Sequence, residues 1–264
     1  MDVSQAPLSE LRRRCAAAGS DRSARRLVVA LRGDGRHGAR ALAEALERRL
    51  QRRRSEGLRV ARLFARRRRL RAQGARFVAG VDEVGVGPLA GPVVAAAVVL
   101  PDRVDLPGLN DSKRLTHAAR ERLAARIREQ AVAVAVAEVS RAEIDRLDIR
   151  RASLEAMRRA VEALAVPPDH VLVDAHTIPG IAAPQTGLIH GDASDGSIAA
   201  ASIVAKVHRD RLMQRLHARY PEYGFGRHMG YPTRQHLDAL RRFGPSPAHR
   251  RSFAPVAQLD GGRR

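Results

Sequence analysis

Tryptophan is absent from this 264-residue chain, and aromatic residues make up only 3% of it. There is one cysteine, Cys15, which excludes an internal disulfide and a zinc site built on several cysteines. No charge-free apolar run reaches the roughly 18 residues that a membrane span needs. The opening MDVSQAPLSELRRRC lacks the apolar stretch of a secretory signal, so a cytoplasmic protein is expected. Lysine is nearly missing: of 48 basic residues only Lys113 and Lys206 are lysines.

Basic charge is abundant. The formal net charge is +20, which suggests a polyanionic partner, most often nucleic acid. The arginine excess also has a bland reading, as genomic base composition. The charge is uneven: residues 1–73 carry 21 arginines against 7 acids, a net of +14, and residues 74–264 carry +6. With 44% hydrophobic and 29% charged residues, the chain can build a globular core of one large domain or two small ones.

Residues 1–73 read as a basic, arginine-rich helical extension. Ser9 is placed to cap a first helix. Leu42, Ala45, Leu46 and Leu50 recur at helical spacing within 39–54, and Leu58, Val60, Leu63, Phe64 and Leu70 continue the pattern over 56–72. Gly33, Gly35 and Gly38 are expected to separate helices, and Gly74 to end the segment. Beyond it, 77–82, 92–100, 131–139 and 170–175 are short, apolar and β-branched, as buried strands are. Helices are expected over 116–129 (capped by Thr116), 143–164, 196–219 and 233–242, and the tail 244–264 reads as irregular with frayed last residues. The pattern predicts an α/β domain with one mixed sheet. The first two strands lie too close for a crossover and should be antiparallel.

Four acids interrupt this apolar framework. Asp82 and Glu83 end the first strand, Asp174 ends the fourth, and Asp192 precedes the long helix. A buried acid is costly unless its charge is compensated. One reading is capping or pairing with arginine. The other is hard divalent cations, two of which would clamp an in-line phosphoryl displacement. Gly85, Gly87 and Gly91 allow close backbone approach to a ligand or a simple strand turn; no helix follows, so this is not a dinucleotide fingerprint. Tyr220, Tyr223 and Tyr231 fall in a basic, turn-rich segment, where rings stack on sugars or bases or seal a cleft. His208, His217 and His236 read as surface helix residues, and His176 lies close to Asp174.

The runs AGVDEVGVGPLAGPVVAAAVVL (79–100), LNDSKRL (109–115), VLVDA (171–175), GDASDGSIAAASIVAKVHRD (191–210), YGFGRHMGYPT (223–233) and HRRSFAPV (249–256) resemble, in order and spacing, the signature blocks of bacterial ribonuclease HII. The resemblance implies a ribonuclease H-like mixed five-stranded sheet flanked by helices. Residues 74–219 would be its core and 220–264 a helical, substrate-contacting extension. It implies cleavage of RNA in RNA–DNA hybrids and 5′ of single ribonucleotides in duplex DNA. Asp82, Glu83, Asp174 and Asp192 match the catalytic metal ligands, for two Mn²⁺ or Mg²⁺ ions. Tyr231 matches the tyrosine that packs on deoxyribose at the junction. Gly85, Val86 and Gly87 match the loop that reads the ribose 2′-OH, and Lys113, Ser202 and Lys206 match positions near the substrate strand.

Three residues depart from the family pattern. Val86 stands where the loop has arginine, Met229 where the HKGY block has lysine, and Ala175 where glycine usually follows the third aspartate. The first two remove cations, and the departures bear on the strength and strictness of junction recognition, not on the reaction class. A DNA-cutting nuclease of the same fold and a non-catalytic basic binding protein are the alternatives. A monomer without a membrane partner is expected, with any protein partner of residues 1–73 left open.

Overall fold

The computed structural model describes residues 3–260, and the chain divides into two compact units, Met1–Arg62 and Leu63–Arg264. The expected fraying of the last residues, 261–264, falls outside the described residues. The sequence changes texture at Gly74. The units divide earlier because Phe64 and Arg67 pack within the second one, the Phe64 ring lying against Gly196.

The first unit is built on α1 (Leu8–Ala17), α2 (Asp21–Arg32) and α3 (His37–Leu63). Pro7, with φ −65°, occupies the position before α1, so Ser9 lies inside the helix instead of capping it. Ser20 caps α2 by accepting from the Ser23 amide at 3.1 Å. Ala24, Leu27, Val28 and Leu31 of α2 pack with Leu11, Ala39, Ala43 and Leu46 in one small core. Arg36 staples its base, donating to the carbonyls of Ala6 at 2.8 Å and Val3 at 2.9 Å and pairing with Asp34. The helical pattern expected to continue through 56–72 is broken at Phe64, just past the end of α3, which is 27 residues long; Gly38, expected to separate helices, lies inside α3. Residues 51–55 of α3 are exposed on every side.

The second unit opens with α4 (Ala65–Ala72) and is organised by a five-stranded sheet: β1 (Val78–Val84), β2 (Val93–Val99), β3 (Ala133–Val139), β4 (His170–Asp174) and β5 (Gln185–Leu188). Their spatial order is β3-β2-β1-β4-β5. β2 is antiparallel to both β1 and β3, and β4 is parallel to both β1 and β5. The antiparallel start is as expected. β5 has no sequence signature because it is four residues of QTGL at an edge, held by side chains: Thr186 meets His170 at 2.8 Å, and Gln185 bonds both ways with the Ile178 backbone.

Helix α5 (His117–Gln130) is capped by Thr116 as expected. The stretch expected as one helix over 143–164 is two, α6 (Arg141–Leu147) and α7 (Ile149–Glu162). Asp148 interrupts it at φ +74° and caps α7 by accepting from the Arg151 amide at 2.9 Å. α8 (Gly191–Ser194) and α9 (Gly196–Arg219) follow the sheet; then come α10 (Phe225–His228), α11 (Arg234–Phe243) and α12 (Ala254–Asp260), the last in a tail expected to be irregular. No helix among the described residues is long and apolar enough to cross a membrane.

The sheet is covered on both faces. α7 buries Ala152, Ala156, Met157 and Ala160 against the side of Ala79, Val81, Val171 and Val173. α9 lies on the other side with small residues, Ser197 to Ala201, facing the strands. Its approach is close because Gly80 has no side chain: a Cβ there would sit 2.1 Å from the Ser197 carbonyl carbon. Gly80→Ala must push α9 off the sheet. We expect a loss of about 1–3 kcal/mol, seen as a melting temperature lower by roughly 2–12 °C.

Candidate active site

Sheet register brings two of the four acids together. Val81 on β1 pairs with Val173 on the parallel strand β4. The next residues, Asp82 and Asp174, therefore emerge side by side at the carboxyl edge, about 5 Å apart by strand spacing. Both share the strand face of Gly80 and Leu172, which pack on Ser197 and Ile198 of α9. Glu83, one residue on, points to the opposite face.

Asp192 joins them through α8. The chain leaves β4 at Ala175, which takes a left-handed conformation at φ +54°, and enters α8 through His190 at φ +55°. The Gly191 amide then donates to Asp174 Oδ1 at 2.7 Å, setting the α8 acid beside the β4 acid. The Lys113 ammonium closes this edge, 3.0 Å from Asp192 Oδ2, with its side chain 79% exposed and that of Asp192 only 6%.

The electrostatics show a surplus of negative charge. Burial first, then Glu83 and Asp174, pushes the Asp82 carboxyl well above the usual range, against a hydrogen bond from Ser202 that holds it down. Glu83 is raised by burial and by Asp174, with His176 opposing. Asp174 is raised by burial and by Asp192, with the Gly191 amide and Lys113 opposing. Among the described residues no three His, Cys, Asp or Glu side chains are closed around a single metal-sized point. The donor set is nevertheless all hard oxygen, four carboxylates against one ammonium, and it fits divalent Mg²⁺ or Mn²⁺ better than a soft metal.

Ser202, expected near the substrate strand, lies beside an acid: its hydroxyl holds Asp82 and meets that of Ser112 at 2.9 Å. Ser112, inside the DSK block, is a site neighbour that sequence reasoning missed; its block was the available signal. Lys206 does not reach the acids. Its ammonium sits 2.6 Å from Asp210, one turn along α9, and Arg120 approaches the same carboxylate at 3.7 Å.

The glycine loop and Tyr231 form a second wall. The space beside Gly87 is open toward the Tyr231 ring, whose Cε1 lies 3.6 Å from a Cβ built there. The Leu89 amide donates to the Gly230 carbonyl at 2.8 Å, joining the two segments. Val86 and Tyr231 are 38% and 43% exposed. Tyr223 is buried and donates its hydroxyl to the Gly244 carbonyl at 2.7 Å, so it is structural.

Two arginines and two histidines stand behind this wall; Arg209, His249 and Arg250 fall in signature blocks, which are their sequence signal, and His236 falls in none. Arg209 and Arg250 are completely buried, and burial pushes them down to about 10 and about 9, so both stay protonated at neutral pH. His236, expected on a helix surface, is also completely buried. Its Nδ1 donates to the Tyr231 carbonyl at 2.9 Å, and its Nε2 accepts from His249 Nε2 at 3.0 Å. His249 Nδ1 in turn accepts from the Ser246 hydroxyl at 2.8 Å. Burial keeps both rings neutral, pushing them down to about 4 and about 3. A proton-ordered chain therefore runs from the C-terminal segment to the backbone of Tyr231.

Carboxylates at the ends of adjacent central strands, on a sheet of this order with helices on both faces, define a divalent-metal nuclease of ribonuclease H-like fold. A family model described as Ribonuclease HII matches residues 79–256. A ribonuclease HII of Geobacillus kaustophilus is 54% identical over 229 residues, 87% of this chain and 88% of that one. The ribonuclease H2 of Pyrococcus horikoshii superposes with a TM-score of 0.61 at 28% identity, covering 70% of this chain and 98% of that one. The ribonuclease HII seen in complex with PCNA from Archaeoglobus fulgidus gives 0.57 at 26% identity, covering 66% and 93%. The chain belongs to the ribonuclease HII family, and it is a type 2 ribonuclease H, an endoribonuclease acting on RNA–DNA hybrids.

The charge surplus can be tested without turnover. A carboxyl whose folded pKa lies above its unfolded value destabilises the fold at every pH above the unfolded value, pH 7 included. With EDTA present, Asp82→Asn should therefore be more stable than wild type by about 1–2 kcal/mol, a melting temperature higher by roughly 2–8 °C. Millimolar Mg²⁺ should raise the wild-type melting temperature and leave the variant's unchanged.

Proposed function

We propose that the chain cuts the phosphodiester on the 5′ side of a ribonucleotide, in hybrids and at single ribonucleotides embedded in duplex DNA. The cut leaves 5′-phosphate and 3′-hydroxyl ends. The carrying observation is the placement of Asp82 and Asp174 one step past the Val81–Val173 pair, with the Gly191 amide, next to Asp192, donating to Asp174. Divalent ions, Mg²⁺ or Mn²⁺, supply a water nucleophile and neutralise developing charge at such a cluster. Asp82, Glu83, Asp174 and Asp192 would hold them, and a cation there would offset the burial and repulsion that raise Asp82, Glu83 and Asp174.

The remaining residues orient the substrate. Lys113, mostly exposed, exchanges its contact with Asp192 for a phosphate of the cleaved strand. The Gly85–Val86–Gly87 backbone meets the ribose, whose 2′-OH is the group DNA lacks. Tyr231 packs on the neighbouring deoxyribose, where a 2′-OH would crowd it. Residues 1–62 add phosphate attraction through the exposed arginines of α3, partly replacing the cations lost at Val86 and Met229. The protein acts in the cytoplasm, as a monomer, in ribonucleotide removal and repair.

The decisive assay compares three duplexes, each with Mg²⁺ and with Mn²⁺: one embedded ribonucleotide, a long hybrid, and all-DNA. Cleavage of the first two at the stated end chemistry is expected. Cutting of the all-DNA duplex would favour a DNA nuclease of the same fold, and metal-independent binding without cleavage would favour a non-catalytic protein.

Salt dependence reads the phosphate contacts separately. Each phosphate neutralised adds about 0.9 to the slope of log affinity against log salt. Val86→Arg should steepen the slope by about one, while replacing Arg52, Arg53 and Arg54 together with glutamine should flatten it by about two to three. Unchanged slopes would show that neither position meets phosphate.

A further inference from the structure

The loop that meets the ribose is held from behind by two buried guanidinium groups. Arg250 donates through Nε to the Gly91 carbonyl at 2.9 Å, through Nη1 to that of Val86 at 3.0 Å, and through Nη2 to that of Gly85 at 2.6 Å. Arg209 donates through Nε to the Pro92 carbonyl at 3.0 Å, through Nη1 to that of Met229 at 3.0 Å, and through Nη2 to that of Ala90 at 3.1 Å. Each thus uses its donor fork on three backbone oxygens and, among the described residues, none on a carboxylate. Such neutral acceptors repay desolvation of a buried cation less well than an ion pair does. The arrangement therefore calls for a purpose beyond stability.

Peptide planarity supplies it. In a trans peptide the carbonyl of one residue and the amide of the next point in opposite directions. Drawing the Gly85 and Val86 oxygens inward turns the Val86 and Gly87 amides outward. Neither amide donates to another group among the described residues. Gly85 permits this geometry: it sits at φ +94°, and a Cβ there would lie 2.2 Å from Arg209 Nε. Arg209 also reaches the Met229 carbonyl, two residues before Tyr231, so the same pair of cations fixes the spacing between loop and ring.

We propose that Arg250, with Arg209 beside it, is a positioning residue for sugar selection, orienting the Val86 and Gly87 amides to donate to the ribose 2′-oxygen. The proposal rests on the ribonucleotide-directed reading above. It separates two tasks: grip comes from surface cations on phosphates, and discrimination comes from two buried cations that never touch the substrate.

The test is the ratio of affinities for a duplex with one ribonucleotide and for the same duplex as all-DNA, with EDTA present so that cleavage does not intervene. In the full chain, Arg250→Lys keeps the charge but cannot fork to three carbonyls. Its ratio should fall at least about tenfold, while all-DNA affinity and its salt slope stay at wild-type values. Arg250→Met should fall at least as far. An unchanged ratio in a folded Arg250→Lys protein, or parallel weakening on both duplexes, would overturn the role. Amide hydrogen exchange in the wild type needs no variant: Val86 and Gly87 should be protected by the ribonucleotide duplex and not by all-DNA. Equal protection by the two would again overturn it. A wild-type ratio of one would remove the ribonucleotide reading itself, and the positioning role with it.

Discussion

The active-site architecture depends on the parallel pairing of β1 with β4. A parallel pair has both carboxyl ends on one side, and this one is in register so that a single step past Val81 and Val173 yields two aspartates on one face. An antiparallel pairing would send the same residues to opposite edges, and a one-residue slip would turn one of them to the other face. The hydrophobic core enforces the register. Val81 and Val173 belong to the α7 side, and exposing either to the α9 side would put bulk where Gly80 must leave none. The same close approach of α9 carries Ser202 to Asp82. Packing and chemistry are therefore specified together, and the repulsion among the acids is imposed by a fold strong enough to bear it.

Most of this frame is legible in the sequence. Four strands announce themselves by runs of valine and alanine, α5 by its Thr116 cap, and α9 by its run of small residues followed by basic ones. The acids are legible because each breaks an apolar or glycine-rich context. What escapes is held by partners distant in sequence. β5 has no apolar pattern because its stability comes from Thr186, Gln185 and their side-chain bonds. The break at Asp148 escapes because the flanking residues keep helical periodicity, and only the backbone turn at φ +74° divides them. His236 reads as a surface residue because its compensation is a backbone carbonyl and another histidine, and no local pattern encodes those.

Lys113 and Lys206 show the same limit from the other side. They are the only lysines, and both lie in signature blocks, which makes them look equivalent. The structure separates them. Lys113 is mostly exposed and meets a site acid, whereas Lys206 is partly buried and neutralises Asp210 within its own helix. Spacing identifies which block a residue belongs to; which acid it answers is decided by the turn of helix on which it lies.

The placement of Arg250 near the end of the chain has a consequence for synthesis. All four acids precede residue 193, and so do all five strands. A chain emerging from the ribosome, or one cut short, can carry the whole carboxylate cluster before the guanidinium that shapes the glycine loop exists. On the role proposed for Arg250, sugar selection arrives only once residue 250 is in place, after every acid and every strand has been made.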